Sequence, residues 1–377
     1  MNTVCERDMC AGCMACIDIC PRKAITIIDS LSAYNAEIDS ENCINCRVCH
    51  KICQVNQKPS FRAPIKWNQG WAANASIRKA SSSGGAAVAI ERAFVNAGGI
   101  VYSCSFNEGE FVFKKAETDE EVKQFAGSKY VKSNPKGVYK EIKKLLQEQK
   151  QILLVGLPCQ IAAARNICGN VDNLITVDLI CHGSPSPKLI TLFLKEYGYD
   201  IDRIGKISFR TKTRWHLKPE EKELTKPFIS DYYTSAFLNG TIYTENCYSC
   251  SYAQLNRVSD ITLGDSWGSI LSDEEQKKGI SLILMQTEKG IKLVEESDLL
   301  LFDVDIERAI AYNHQLKHPS IAPLQRNRFF ELISKKGFKK AYETCYPKQH
   351  YKDLIKKVFY SLKLYGADCP KTSGLST

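Results

Sequence analysis

Cys10-Ala-Gly-Cys13-Met-Ala-Cys16-Ile-Asp-Ile-Cys20-Pro21 is answered 33 positions later by Cys43-Ile-Asn-Cys46-Arg-Val-Cys49-His-Lys-Ile-Cys53. Both runs carry three cysteines two residues apart and a fourth after three more, so the segment is an internal repeat of one binding unit. Three thiolates at that spacing wrap three corners of an iron–sulfur cube, and the fourth corner is reached from elsewhere in the fold. Disulfide frameworks belong to small secreted scaffolds, and no signal peptide is visible here. Structural zinc is usually held by two separated Cys-x-x-Cys pairs, not by overlapping triplets with a distant fourth cysteine. The pattern predicts two [4Fe–4S] clusters and a protein that moves electrons.

The spacing resembles that of bacterial-type two-cluster ferredoxins, where each run lends its last cysteine to the other cluster. That resemblance implies one cluster on Cys10, Cys13, Cys16 and Cys53, and a second on Cys43, Cys46, Cys49 and Cys20. Gln54 stands where the first run has Pro21, a change that alters an exit turn and removes no ligand. Residues 24–28 and 33–38 read as the hairpin that such a domain places between its halves.

With 377 residues, 44% of them hydrophobic, the chain is long enough for two or three domains with cores of their own. Its 17 cysteines exceed what packing requires, and thiolate ligands suit a reducing cytoplasm. No stretch approaches the ~20 apolar residues of a membrane-spanning helix, and 152–155 and 282–285 read as buried strands. The net charge of +9 is concentrated in 326–377, where 12 Lys or Arg face 4 Asp or Glu. Such a tail suits an acidic partner protein or peripheral contact with an anionic membrane, or it is the solvated face of packed helices. No nucleic-acid module is visible.

The periodicity predicts an α+β protein. A small two-cluster domain (1–57) and a Pro-containing linker (58–69) precede a mixed α/β core, itself divided at about residue 150 (70–150 and 151–290). A helical, basic tail (291–377) follows. Within the core, strands at 99–106, 111–116, 152–155 and 174–180 alternate with helices at 86–97, 118–125, 137–149 and 161–166. Thr118 and Glu121 make a capping box. The chain turns strand-rich from about 206 and helical past 288. Leu354, Ile355, Val358, Phe359 and Leu362 fall on one helical face.

Ser81-Ser82-Ser83-Gly84-Gly85 opens a helix, which makes it either an anion site for a cofactor phosphate or an ordinary serine cap. Lys129 in Gly127-Ser128-Lys129-Tyr130 either neutralises such a phosphate or is simply exposed. Cys159 and Cys181 each follow a strand, and Cys247 and Cys250 form a Cys-x-x-Cys pair. Neighbouring strands would bring Cys159 and Cys181 out on one sheet edge. Four thiolates there allow a third [4Fe–4S] cluster, with a zinc site or unrelated buried thiols as alternatives. Cys5, Cys104, Cys168, Cys345 and Cys369 read as structural.

Five motifs then occur in order: Gly-Ser-Lys-Tyr-Val (127–131), Gly-Leu-Pro-Cys-Gln (156–160), Asp-Leu-Ile-Cys-His-Gly-Ser-Pro-Ser-Pro (178–187), Cys-Tyr-Ser-Cys (247–250) and Asp-Ile-Thr-Leu-Gly-Asp-Ser-Trp-Gly (260–268). Over residues 70–290 the chain thus resembles the coenzyme F420 hydrogenase/dehydrogenase beta-subunit family. The resemblance implies FAD and iron–sulfur clusters, with Cys159, Cys181, Cys247 and Cys250 as ligands of a third cluster. It also implies Ser82, Ser83, Gly84, Gly85 and Lys129 as flavin contacts. Some members use the deazaflavin F420, a plant relative reduces hydroxymethyl chlorophyll with ferredoxin electrons, and some bacterial members accompany polysaccharide-biosynthesis genes. Leu157 and Asn246 depart from the residues usual at those positions.

The leading expectation is an FAD-dependent iron–sulfur oxidoreductase. It would link a ferredoxin-like partner to a small substrate, either F420 or a polysaccharide-biosynthesis intermediate. The alternative is an electron-relay subunit of a larger complex with no substrate of its own. His182 is the candidate acid or base, with a structural histidine as the other reading.

Overall fold

The computed structural model describes residues 2–212, 214–226 and 229–361. Within the cysteine repeat, β1 (Ile25–Asp29) and β2 (Tyr34–Ile38) pair antiparallel. The short helices Ala15–Ile19 and Val48–Ile52 follow the two cysteine triplets. This unit is docked on the rest of the chain by polar contacts. The Asp18 carboxylate accepts from the backbone N–H groups of Gly137 and Tyr139 at 2.6 and 3.2 Å, and Lys132 Nζ donates to the Ala11 carbonyl at 2.8 Å. Gln54 is buried, and its carbonyl accepts from the Tyr252 hydroxyl at 3.0 Å. The residue in the proline's place is therefore part of this interface.

The core is one eight-stranded sheet. Its members are β3 (Lys66–Ala72), β4 (Ile100–Asn107), β5 (Glu110–Ala116), β6 (Ile152–Gly156), β7 (Leu174–Leu179), β10 (Ile261–Asp265), β11 (Ser281–Met285) and β12 (Leu299–Phe302), with β8 (Ile207–Thr211) and β9 (Arg214–Pro219) forming a separate hairpin. The order across the sheet is β12-β3-β11-β10-β7-β6-β4-β5. The four central strands β10, β7, β6 and β4 are parallel, and the outer pairings are antiparallel. Strands buried on both faces read as unbroken apolar runs, and Ile-Leu-Leu-Val-Gly of β6 is buried at every position.

Helices cover both faces. Ala86–Asn96 and Glu288–Glu295 pack one face through Ile90, Phe94, Leu293 and Val294. Val138–Gln147 and Pro158–Cys168 pack the other through Tyr139, Ile142, Ile161 and Ile167, and Cys13 and Ala15 of the cysteine unit join that same cluster. A third cluster, rich in aromatics, unites Pro187–Lys195, Tyr232–Leu238 and Arg326–Cys345.

The structure departs from the sequence reading at several boundaries. Lys66–Ala72 is a sheet strand that begins inside the stretch expected to be linker. Leu299–Phe302 extends the sheet within the region expected to be a helical tail, and its pairing with Ala72–Gln69 supplies the reason. Past residue 206 the helix Tyr232–Leu238 interrupts the expected strands. Proline in the first turn starts the next helix at Pro158, so Cys159 lies inside it. The Thr118–Glu121 capping box is present. In the tail, Leu354, Ile355, Val358 and Phe359 share the helix Pro347–Ser361 and are 38, 55, 57 and 44% exposed. Leu362 and Cys369 lie outside the described residues. No helix among the described residues is long and apolar enough to cross a membrane.

Gly84 is required by packing. A Cβ there would stand 2.4 Å from the Gly70 carbonyl oxygen and 2.7 Å from the Ser281 amide nitrogen, both rigid backbone. Gly84→Ala is expected to cost about 1–3 kcal/mol through overpacking, read as a lower denaturant midpoint without any cofactor added.

Candidate functional site: three thiol cages and a cavity

The first cage is built as the crossed repeat implies. Cys10, Cys13, Cys16 and Cys53 line one small internal cavity together with Cys5, and Cys20, Cys43, Cys46 and Cys49 line another. The first is an inner cage, with all four thiols buried, while Cys46 of the outer cage is exposed. The two adjoin, since the Cys49 thiolate adds to the upward push on Cys16. Cys5, read from the sequence as structural, is a fifth thiol at the inner cage. It hydrogen-bonds Cys10 and Cys53, holding Cys10 below the usual thiol range and bringing Cys53 to about 6.

A third cage forms beyond the sheet edge. The register sets Gly156 of β6 opposite Asp178 of β7, and Asp178 opposite Thr262 of β10. The strands therefore end together, and Cys159 and Cys181 leave on one edge. Cys247 and Cys250 approach on the turn Glu245–Ser249. Burial pushes Cys181 up, and Cys247, Cys159 and Cys250 push it further. Burial brings Cys159 to about 12, with Cys250 and Cys247 adding to the rise against the lowering effect of Lys132. The four thiols thus surround one site.

The Cys-x-x-Cys turn is held by a buried ion pair. Arg257 is 1% exposed and donates from Nε and Nη2 to the Asp178 carboxylate at 3.1–3.2 Å. Its remaining donors reach the carbonyls of Tyr252, Gln254 and Leu179 at 2.7, 3.3 and 2.9 Å. One guanidinium therefore joins the segment after Cys250 to the end of β7, two residues before Cys181. Desolvated charges hold only when every donor is used in this way.

These cages fit iron–sulfur cubes better than single ions. Among the described residues, no group of three His, Cys, Asp or Glu side chains is set to hold one metal ion. A cube needs its four thiolates spread around a volume, and the lining of the two N-terminal cavities has that form. Burial and mutual repulsion keep most of these thiols protonated on their own, so a cationic iron core is what would hold four thiolates together.

Cys181 also lines the main cavity, of ≈ 260 Å³, at the C-terminal edge of the parallel strands. Of the expected flavin contacts, Ser82, Ser83, Gly85 and Lys129 line it, and Gly84 does not. The Ser82 hydroxyl accepts from Ser128 N–H at 2.8 Å, and Lys129 Nζ donates to the Phe125 and Ala126 carbonyls at 2.7 and 3.3 Å. The helix Ala86–Asn96 starts at Gly85 without a side-chain cap, and Ala86, Ala87 and Val88 face the cavity. Its uncapped N–H groups form an anion site. The opposite wall is aromatic and cationic. Tyr130 stacks on Trp215 and Phe237 at 5.0 and 4.5 Å. Arg210 sits 4.4 Å from the Trp215 ring and is clamped by the Asp265 carboxylate at 2.7 and 2.9 Å. This set fits a flat ring carrying phosphate, as FAD does.

His182 lines the cavity with Nδ1 2.8 Å from Gln315 Nε2, and burial beside His314 pushes it down to about 4. It is a neutral imidazole near pH 7. Glu91, Lys132, Arg210, Trp215 and Trp267 were not singled out from sequence. Single charged or aromatic residues in strands and loops carry no spacing signal, and only the fold assembles them. Glu91 is 1% exposed, lines the cavity, and has a carboxylate oxygen without a partner; burial pushes it up to about 8.

Residues 149–299 match the family model for the C terminus of the coenzyme F420 hydrogenase/dehydrogenase beta subunit, and residues 9–57 match that of the 4Fe-4S dicluster domain. The chain belongs to the coenzyme F420 hydrogenase/dehydrogenase beta-subunit family. This family member is 27% identical over 302 residues to the F subunit of the F(420)H(2) dehydrogenase of Methanosarcina mazei, a match covering 71% of its own length and 80% of that protein. It is also similar to a chain in the structure of the F420-reducing [NiFe] hydrogenase complex from Methanosarcina barkeri. There the TM-score is 0.47 and the identity 18%, over 73% of this chain and 96% of that one. The dicluster match makes the N-terminal unit an iron–sulfur electron-transfer domain.

Replacing Arg257 with Met strands a buried Asp178 carboxylate, which should cost about 3–5 kcal/mol. Iron lost on mild chelation should come first from the third cage, leaving the N-terminal clusters visible by electron paramagnetic resonance. Glu91 generates a second expectation. Its folded value of about 8 lies above the ordinary 4.5, so the folded chain binds the extra proton. Stability from this group is then full below pH 4.5 and lost as pH rises through 8. Glu91→Gln should flatten that decline, measured as urea midpoints at pH 5 and pH 8.

Proposed function

We propose that this chain is the electron-relay subunit of a larger redox complex, passing single electrons between a partner protein and a flavin in the cavity. The observation that carries this reading is the order of the thiol cages. The outer cage opens to solvent at Cys46, and the inner cage adjoins it. Tyr139 and Tyr252 stand between the inner cage and the third, each within electrostatic reach of Cys13 and Cys159. The third cage ends on the cavity wall at Cys181. An electron entering at the surface thus has an unbroken series of sites to follow in either direction.

FAD is the group best suited to the cavity, because a flavin converts single electrons into the paired electrons that organic substrates need. The uncapped N-terminus of Ala86–Asn96 would receive its phosphates, and the Tyr130–Trp215 wall would stack a planar ring. The Methanosarcina mazei relative, named as part of an F(420)H(2) dehydrogenase, makes the deazaflavin F420 the first substrate to try. At the other end, Arg22 and Arg47 line the outer cage and Lys23 and Lys51 are exposed nearby. These charges suit an acidic electron carrier or partner subunit.

Anaerobic purification tests the reading. About twelve irons and one FAD per chain are expected, at four irons per cluster. About eight irons would remove the third cluster, and absence of flavin would remove the cavity's role. Reversing Arg22 and Arg47 to Glu should slow exchange with an acidic ferredoxin at low salt about tenfold or more. Reduction by a small viologen dye should not change.

A further inference from the structure

Lys132 places its ammonium directly against the inner cage. It is 4% exposed, donates to the Ala11 carbonyl between Cys10 and Cys13 at 2.8 Å, and sits 5.2 Å from the centre of the Tyr34 ring. Its charge is felt on both sides, stabilising the Cys10 thiolate of the inner cage and the Cys159 thiolate of the third. No Asp or Glu among the described residues forms an ion pair with it. Gly12 makes room for this arrangement, since a Cβ there would fall 2.8 Å from Lys132 Cδ and 2.5 Å from the Tyr34 ring.

A buried ammonium with one neutral hydrogen-bond acceptor is costly unless a negative charge answers it. Clusters held by four thiolates are net anionic and become more so on reduction. We propose that Lys132 is the common counter-charge of the inner and third iron–sulfur sites, and that it raises the reduction potential of both. The inference rests on the relay reading, which puts clusters at those two sites. Reduction adds one electron to a cluster and breaks no bond. The nearby positive charge favours the reduced form, whereas the outer cage, on the solvent side, is little affected. Lys132 is a positioning residue in this sense, acting through the field that it places between two sites.

The test is a redox titration followed by electron paramagnetic resonance on the full chain, comparing Lys132→Gln, which keeps a hydrogen-bond donor, with Lys132→Arg, which keeps the charge. At a fixed applied potential, Lys132→Gln should lower the reduced-to-oxidised ratio of the inner and third clusters about tenfold, equivalent to 59 mV for one electron. The outer cluster should hold its wild-type ratio, and Lys132→Arg should restore the others. A Gln variant with wild-type ratios and twelve irons would overturn the proposal and leave the relay standing. Eight irons in the wild-type chain would instead remove the third site and the shared role with it. If the Gln variant loses its iron, the wild-type chain still decides. The inner cluster, identified by its persistence in Cys46→Ser, should be reduced at a higher potential than the outer one despite its burial; the reverse order would overturn the proposal.

Discussion

The site depends on the buried pair between Arg257 and Asp178. A sheet edge alone delivers Cys159 and Cys181, because parallel strands in register end together. It cannot deliver Cys247 and Cys250, which arrive on a turn without regular pairing of its own. The guanidinium supplies what the turn lacks, using its donors on a carboxylate of β7 and on three carbonyls around the turn. A second buried pair, Arg165 with Asp260, ties the helix that carries Cys159 to β10 in the same way, at 2.6 Å. Charge has been taken out of water at two points to fix where thiols stand.

The docking of the cysteine unit follows from this rigidity. Its helix ends, hairpin turn and last cysteine all meet fixed backbone of the core, through Asp18, Ser32 and Gln54. Electron transfer falls steeply with separation, so a hinged attachment would make the inner and third cages poor neighbours. Shared packing of Cys13 and Ala15 with Tyr139 and Ile161 instead makes the N-terminal unit part of the core. The same interface encloses Lys132.

Much of this was legible in the sequence, and the reason is spacing. Ligands supplied at fixed intervals announce themselves, as the eight N-terminal cysteines do, and a Cys-x-x-Cys pair after two strand-end cysteines nearly does so. Strands such as Ile152–Gly156 were readable because burial on both faces leaves an unbroken apolar run. What stayed hidden was assembled by tertiary contact alone. Lys132, Glu91 and Arg210 sit at unremarkable positions, and their roles come from neighbours distant in the chain. Gly84 pointed the other way: its motif suggested a ligand, whereas backbone crowding from Gly70 and Ser281 explains it. The β12 strand was missed because its short alternating pattern, half exposed, resembles a helix end.

The crossing of the two cysteine runs has a consequence for durability. Cys16 and Cys20 lie at either end of the single-turn helix Ala15–Ile19, yet belong to different cages. Oxygen reaches the outer cage first, at Cys46. When that cube breaks down, Cys20 is released and the end of the helix frays towards Cys16. Damage is thereby carried inward along a short covalent path, although the inner cage is sealed from solvent. A partner seated over Cys46 would act as a shield as well as a source of electrons, so the free protein should age from its surface inward, one cluster at a time.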